Sequence, residues 1–403
     1  MPRPSLEVAD LVRSAGRNFI EHNRRWLNRL HLKVLTAIER CRTAALGGHL
    51  DECVHCGHRV ISFNSCRNRH CPKCQANARD RWLQAREREL LPTRYAHVVF
   101  TLPHELGPLT LQNKKVVYDL LFRTSAQTLM EIARDPRHLA AEIGFFSVLH
   151  TWNQKLEFHP HIHCVVPAGG LSSDHSRWVA SQKNFFLPVE VLSEVFKGKF
   201  TEALRETFAD GRLGFHGSLQ PLGRPKVFAQ LLRQAYRKKW VVYAKRPFGG
   251  AQHALRYLGC YTHRVAISNH RLTEFKDDRV TFRWRDSAHQ NKKRLMTLHV
   301  NEFLRRFLLH VLPPGFVRIR HFGFLSTRNR SKLLPVCFRV LQATTDSAAA
   351  ANTLATVASA DHSEHSSVVW RCPHCQAEMV ILERLTAFDL RYRGPPAINP
   401  TAA

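Results

Sequence analysis

Apolar residues recur at three and four positions between Ser14 and Leu46, with Leu27, Leu30, Val34 and Ile38 on one stripe, until Gly47 and Gly48 stop the pattern. That period predicts a helix that feeds a compact module. The basic stretch NARDRWLQARERELLP predicts a second helix ending at Pro92. The texture then changes. YAHVVFTLPHEL reads as a β-rich run closed by Pro103, and helical segments follow around residues 110 to 135. GFFSVLHTWNQ and HPHIHCVVPAGGL are strand-like, the second ending at Gly169 and Gly170. Helical periodicity returns over residues 185 to 240. VAIS (265–268), RVTFRW (279–284) and a helix from His289 to Val311 complete the body. Strands and helices mixed without regular βαβ alternation predict an α+β fold.

Three segments follow from these shifts of texture. Residues 1–92 form an N-terminal module, residues 93–341 a mixed domain, and residues 342–403 a flexible linker and tail. The linker assignment rests on TTDSAAAANTLATVASADHSEHSS, which is small, polar and rich in Ala and Ser. Beyond it VVWRCPHCQAEMVILERL carries one CxxC pair.

Composition narrows the function. The 403 residues hold 60 Lys+Arg against 32 Asp+Glu, a formal net charge of +28, while 44% hydrophobic and 9% aromatic residues describe an ordinary globular interior. Disorder, collagen and a small disulfide scaffold are excluded, and a polyanion is the expected partner. Lys or Arg interrupts every run that could approach the roughly 18 to 20 apolar residues of a membrane span, and the N-terminus has no apolar signal core. The expectation is a cytoplasmic protein. Eleven cysteines, several in CxxC pairs, suit a reducing compartment in which thiolates bind zinc.

Cys53, Cys56, Cys71 and Cys74 form CxxC, fourteen residues, CxxC. Two such pairs can set four thiolates around one structural zinc, which would supply folding energy to a small segment. Cys66 and His70 are alternatives for one of the four positions. Arg59, Arg67, Arg69 and Lys73 would present this module to phosphates. Cys372 and Cys375 are half of a second site, with His362, His365 or Cys337 as possible partners.

His159, His161 and His163 occupy alternate positions before an apolar run. In a strand, residues two apart share a face, so His161 and His163 can meet one divalent cation while Ile162 turns to the core. His159 is a candidate third ligand, with Gln154 as the fallback. Tyr257 and Tyr261 lie four residues apart, and on a helix both hydroxyls would project from one face. A phenol is a weak nucleophile at neutral pH, so a metal that polarises a phosphate would supply the missing activation.

With these motifs in hand, the chain resembles the two-tyrosine HUH transposases of rolling-circle insertion sequences, HUH standing for two histidines around a hydrophobic residue. The carriers are the CxxC…NSCRNRHCPKC module, FTLPHEL, TWNQKLEFHPHIHCVVPAGGL and YLGCYTHRVAISNHRL, which together span most of residues 20 to 340. The resemblance implies an antiparallel sheet flanked by helices behind a small helical zinc-binding module, with His161 and His163 as metal ligands and Tyr257 and Tyr261 as nucleophiles. It further implies Mg- or Mn-dependent attack on single-stranded DNA at transposon ends, a 5′-phosphotyrosine intermediate, transfer to target DNA, and a bacterial, nucleoid-associated location. Where the family usually has Arg between the glycine and the second tyrosine, this chain has Cys260.

Two other readings compete. His253 and Arg256 have the HxxR spacing of tyrosine recombinases, but after Tyr261 the next tyrosine is Tyr392, too far along to be their nucleophile. A non-catalytic zinc-dependent DNA-binding protein accounts for the charge and the cysteines, but not for HxH and YxxxY together.

Overall fold

The computed structural model describes residues 4–250, 259, 265–286, 289–350 and 370–393. Its centre is a five-stranded antiparallel sheet in the order β12 (Ile319–Gly323), β4 (Gly144–Trp152), β5 (Phe158–Pro167), β3 (Tyr95–Thr101), β8 (Val242–Phe248). The histidine-rich run is thus the central strand. Because side chains alternate across a strand, Ile162, Cys164 and Val166 share one face with Leu149, Phe145, Val98 and Phe100. That face is sealed in one core with α5 (Lys114–Arg134), α6 (Val189–Ala209) and α7 (Pro225–Arg237). The opposite face divides in two. At one end Tyr95, Phe146, Val148 and Val165 pack against Trp82 and Leu83 of α3 (Pro72–Glu87) and against Leu334, Cys337 and Leu341 of α9 (Arg330–Ala350). At the other end the same face carries histidines.

A second core joins distant parts of the chain. Helices α1 (Val8–His22) and α2 (Arg29–Arg40) pack on β9 (Leu272–Lys276), β10 (Arg279–Asp286), β11 (Lys292–His299) and α8 (Val300–Leu309), with Phe19, Val34, Ile38, Phe282, Phe303 and Phe307 buried together. The first 92 residues therefore do not close a core of their own. Their remaining strands, β1 (Gly48–Cys53) and β2 (Arg59–Phe63), form a small sheet with β13 (Met379–Leu385) from the far end of the chain, in the order β13-β1-β2.

Several expectations change at this level. The single helix expected over residues 14–46 is two helices, broken where the Asn28 side chain accepts from the His31 amide at 3.0 Å and caps α2. VAIS (265–268) is not a strand. The helix expected from His289 to Val311 is the strand β11 followed by α8. Gln290 and Asn291 take left-handed φ of 53° and 58° just before β11, and pairing with β10 overrides the helical spacing of the leucines. Helix α9 runs past residue 342 to Ala350, and residues 370–393 are ordered rather than a loose tail. Among the described residues no helix is long and apolar enough to cross a membrane.

Candidate metal centres and DNA interface

The cysteines separate into two groups, and the expected set of Cys53, Cys56, Cys71 and Cys74 is not one of them. Cys71 and Cys74 lie with Cys41 and Cys66, and Cys53 and Cys56 lie with Cys372 and Cys375. The reason is local geometry. Cys71 caps the start of α3, so Cys74 sits one helical turn on and faces Cys41 at the end of α2. The Cys41 and Cys74 sulfurs are 3.5 Å apart, and those of Cys66 and Cys74 3.6 Å. Cys53 and Cys56 instead form the tip of the β1–β2 hairpin. Such crowding pulls the thiols apart in acidity: hydrogen bonding with Cys41 holds Cys74 far below its ordinary range, and bonding to the same Cys41 pushes Cys71 up. Four sulfurs around one buried point fit a structural zinc. His70 is not in the set. Its Nε2 accepts from the Leu312 amide at 3.3 Å.

The basic residues near these cysteines are mostly committed elsewhere. The Arg69 guanidinium donates to the carbonyls of Phe316 (2.7 Å), Leu312 (3.1 Å) and Pro313. Lys73 pairs with Glu7 at 2.5 Å in a nearly buried bridge, and Arg59 with Glu52. Of the four, Arg67 is exposed.

The histidine centre is assembled by strand register. His161 and His163 point to the same face of β5, and His150 on β4 stands directly opposite His161. These three rings offer ligand atoms that all lie within 4.8 Å of one another. The structure thus brings His150, and neither His159 nor Gln154, into one cluster with His161 and His163. His159 is exposed at the strand entrance, and its carbonyl accepts from His161 Nδ1 at 2.7 Å. That bond fixes the proton on Nδ1 and leaves Nε2 of His161 as the ligating atom. Burial, reinforced by His159, lowers His161 to about 4, which keeps its ring neutral. His97, on β3, reaches Nδ1 of His163 through Nε2 at 2.8 Å with the rings stacked. The Trp152 indole lies on His150, with centroids 4.6 Å apart and planes 18° apart. His150 and His97 carried no local signal, since each becomes part of the site only when β3, β4 and β5 pair.

Tyr257 and Tyr261 lie outside the described residues, as do His253, Arg256 and Cys260. Their flanks are described. The chain leaves the sheet at the end of β8, the strand beside β3, and is described again at Val265, which lines a small cavity with Trp152, His70 and His310. Exposed Arg233, Arg237, Lys238 and Lys239 approach β8 from the end of α7, and Lys245 stands on β8 in register with His97.

Comparison with known proteins agrees with this architecture. Residues 11–102 match a family described as "Transposase zinc-binding domain", and residues 144–332 match one described as "Putative transposase". A protein named "Putative transposase y4qJ", from Sinorhizobium fredii, is 49% identical over 98% of both chains. The "Transposase for insertion sequence element IS801" of Pseudomonas savastanoi is 28% identical over 79% of this chain and 76% of its own. A zinc-binding module joined to an antiparallel-sheet domain with clustered histidines defines the class, a DNA transposase. Within that class the chain belongs to the IS91-type family of rolling-circle transposases, whose zinc-binding domain precedes the transposase domain.

Proposed function

We propose that this transposase nicks single-stranded DNA at the ends of its element by attack of Tyr257 or Tyr261, at a divalent-metal centre held by His150, His161 and His163. The observation that supports this most is the convergence of three imidazoles from β4 and β5 on one face of the central sheet, with β3 alone between them and β8, the strand that leads toward the tyrosines. Val265 gives that placement a scale. Val265 lies four positions after Tyr261, so the extended chain from one to the other spans at most about 14 Å, and Val265 already shares a cavity with the Trp152 that stacks on His150. Three neutral nitrogen donors with room for oxygen ligands suit Mn more readily than Mg.

The metal, when bound, polarises a phosphate and stabilises the leaving oxygen. The chain's own groups do the rest. His161 donates its Nδ1 proton to the His159 carbonyl and presents Nε2. His97 orients His163, and Trp152 holds His150. The tyrosine oxygen forms a bond to phosphorus as the bond to the 3′-oxygen breaks, leaving a 5′-phosphotyrosine and a free 3′-hydroxyl. Because one phosphoester replaces another, rejoining needs no nucleotide cofactor. The freed 3′-end primes replication, and the second tyrosine processes the other strand.

The test incubates the full chain with labelled single-stranded DNA from the ends of its own element, with Mn, with Mg or with EDTA, and resolves covalent adducts on a denaturing gel. A metal-dependent adduct on the 5′ side of the nick is expected. His150→Ala and His161→Ala should each reduce it at least tenfold, and Tyr257→Phe with Tyr261→Phe should abolish it while DNA binding persists. Binding without any adduct would instead indicate a non-catalytic zinc-dependent DNA-binding protein.

A further inference from the structure

The geometry points to a second zinc centre built from the two ends of the chain, Cys53 and Cys56 with Cys372 and Cys375, which clasps the C-terminal strand β13 onto the N-terminal module. The pairs are more than 300 residues apart in sequence, yet Cys53 and Cys375 bring their sulfurs to 3.4 Å, Cys56 and Cys372 to 3.6 Å, and Cys56 and Cys375 to 3.5 Å. Around a tetrahedral zinc with Zn–S bonds near 2.3 Å, adjacent sulfurs stand about 3.8 Å apart. The four sulfurs are nearly at that spacing.

The backbone of the two pairs repeats the same core bonds. In CVHCGH the Cys53 amide donates to the His58 carbonyl at 2.9 Å and the Gly57 amide to the Cys53 carbonyl at 3.1 Å. In CPHCQA the Cys372 amide donates to Ala377 at 2.8 Å and the Gln376 amide to Cys372 at 2.9 Å. The amide two residues after the first cysteine points at its sulfur in both, from His55 and from His374, each at 3.4 Å. The residue after the second cysteine is left-handed in both, with φ of 67° at Gly57 and 61° at Gln376. A non-glycine residue adopts that conformation at a cost, so Gln376 in this state indicates that the turn is required. Amides aimed at a sulfur favour its thiolate form, the form a metal takes. Two loops that share these bonds therefore face each other across one point, with the His58 and His374 rings 4.3 Å apart at the seam.

The core beneath this site is too small to hold the strand without help. Buried hydrophobic residues there are Cys53, Cys372 and Met379, with Val60 and Ala377 partly buried, while Val380, Ile381 and Leu382 of β13 are exposed. Apart from Leu385, buried at the far end of β13 beside Gly48, strand pairing with β1 and a metal are what fasten the described residues 370–393. The two centres also differ in access. Cys56 is exposed and Cys375 half-buried, whereas Cys41, Cys71 and Cys74 are buried in the second core. The clasp should thus exchange its metal first.

The test measures zinc per chain by atomic emission and amide exchange by mass spectrometry on the purified full-length protein. Wild type should carry two zinc ions, one removed by EDTA many-fold faster than the other, and loss of the first should deprotect the amides of residues 379–385 while those of β4 and β5 stay protected. The double variant Cys372→Ser with Cys375→Ser, and separately a chain ending at residue 369, should each retain one zinc and the protected central sheet. One zinc in wild type, two in either variant, or unchanged exchange in β13 after the double substitution would overturn the clasp. So would loss of both ions in both variants, because the proposal requires the centres to be independent.

Discussion

Arg69 and Arg67 stand two residues apart in a basic motif and sit in opposite environments, one committed to the protein and one exposed. Arg69 satisfies three carbonyls in the loop after α8, so Arg69→Ala leaves those carbonyls short of a donor. A loss of about 2 to 4 kcal/mol in stability is expected, measurable by urea unfolding, with little change in the DNA affinity of the folded fraction. Arg67→Ala should do the reverse, leaving the unfolding midpoint in place and weakening DNA binding in a way that fades at high salt. In the sequence both residues read as phosphate contacts. Charge and local context are the same for the two, and only the position of the 312–316 loop separates them.

At the scale of elements, strand β5 was legible because its alternation is strong: imidazoles on one face and Ile162, Cys164 and Val166 on the other. The structure adds that Ile162, between His161 and His163, is fully buried against the helices. Ile162→Ala should therefore cost about 2 to 5 kcal/mol and also lower Mn affinity, because the strand loses the packing that fixes its register. Ile162→Val should cost only about 0.5 to 1.5 kcal/mol and leave the affinity within experimental error. Calorimetric titration of Mn, beside thermal unfolding of both variants, checks the pair. Strand β11 was not legible. Leu295 and Leu298 stand at helical spacing while Met296 and Leu298 stand at strand spacing, and a run that short is settled by its partner, β10, rather than by its own pattern.

For the whole molecule, buried imidazoles set the response to acid. Burial lowers His310 to about 3 and His31 to about 4, against about 6.5 in the unfolded chain. Between those values the unfolded state binds protons that the native state refuses, so unfolding becomes easier as pH falls. The stabilisation is complete above about pH 6.5 and is lost progressively toward the native values. The urea midpoint should accordingly stay level near neutrality and drop as the solution is acidified below that point, and His310→Gln should flatten the drop. The sequence by itself determined that this chain is basic, that it carries a zinc-binding type of cysteine module and a histidine run of metal-ligand type, that its body mixes strands with helices, and that it resembles the two-tyrosine HUH transposases, because charge, residue type and strong periodicity are local properties. Tertiary structure alone decided which cysteines share a centre, that His150 joins His161 and His163, and that β13 returns to β1. Each of these brings together residues separated by tens to hundreds of positions. A metal centre is satisfied by distance and angle in space, and spacing along the chain constrains these only within a single turn or strand.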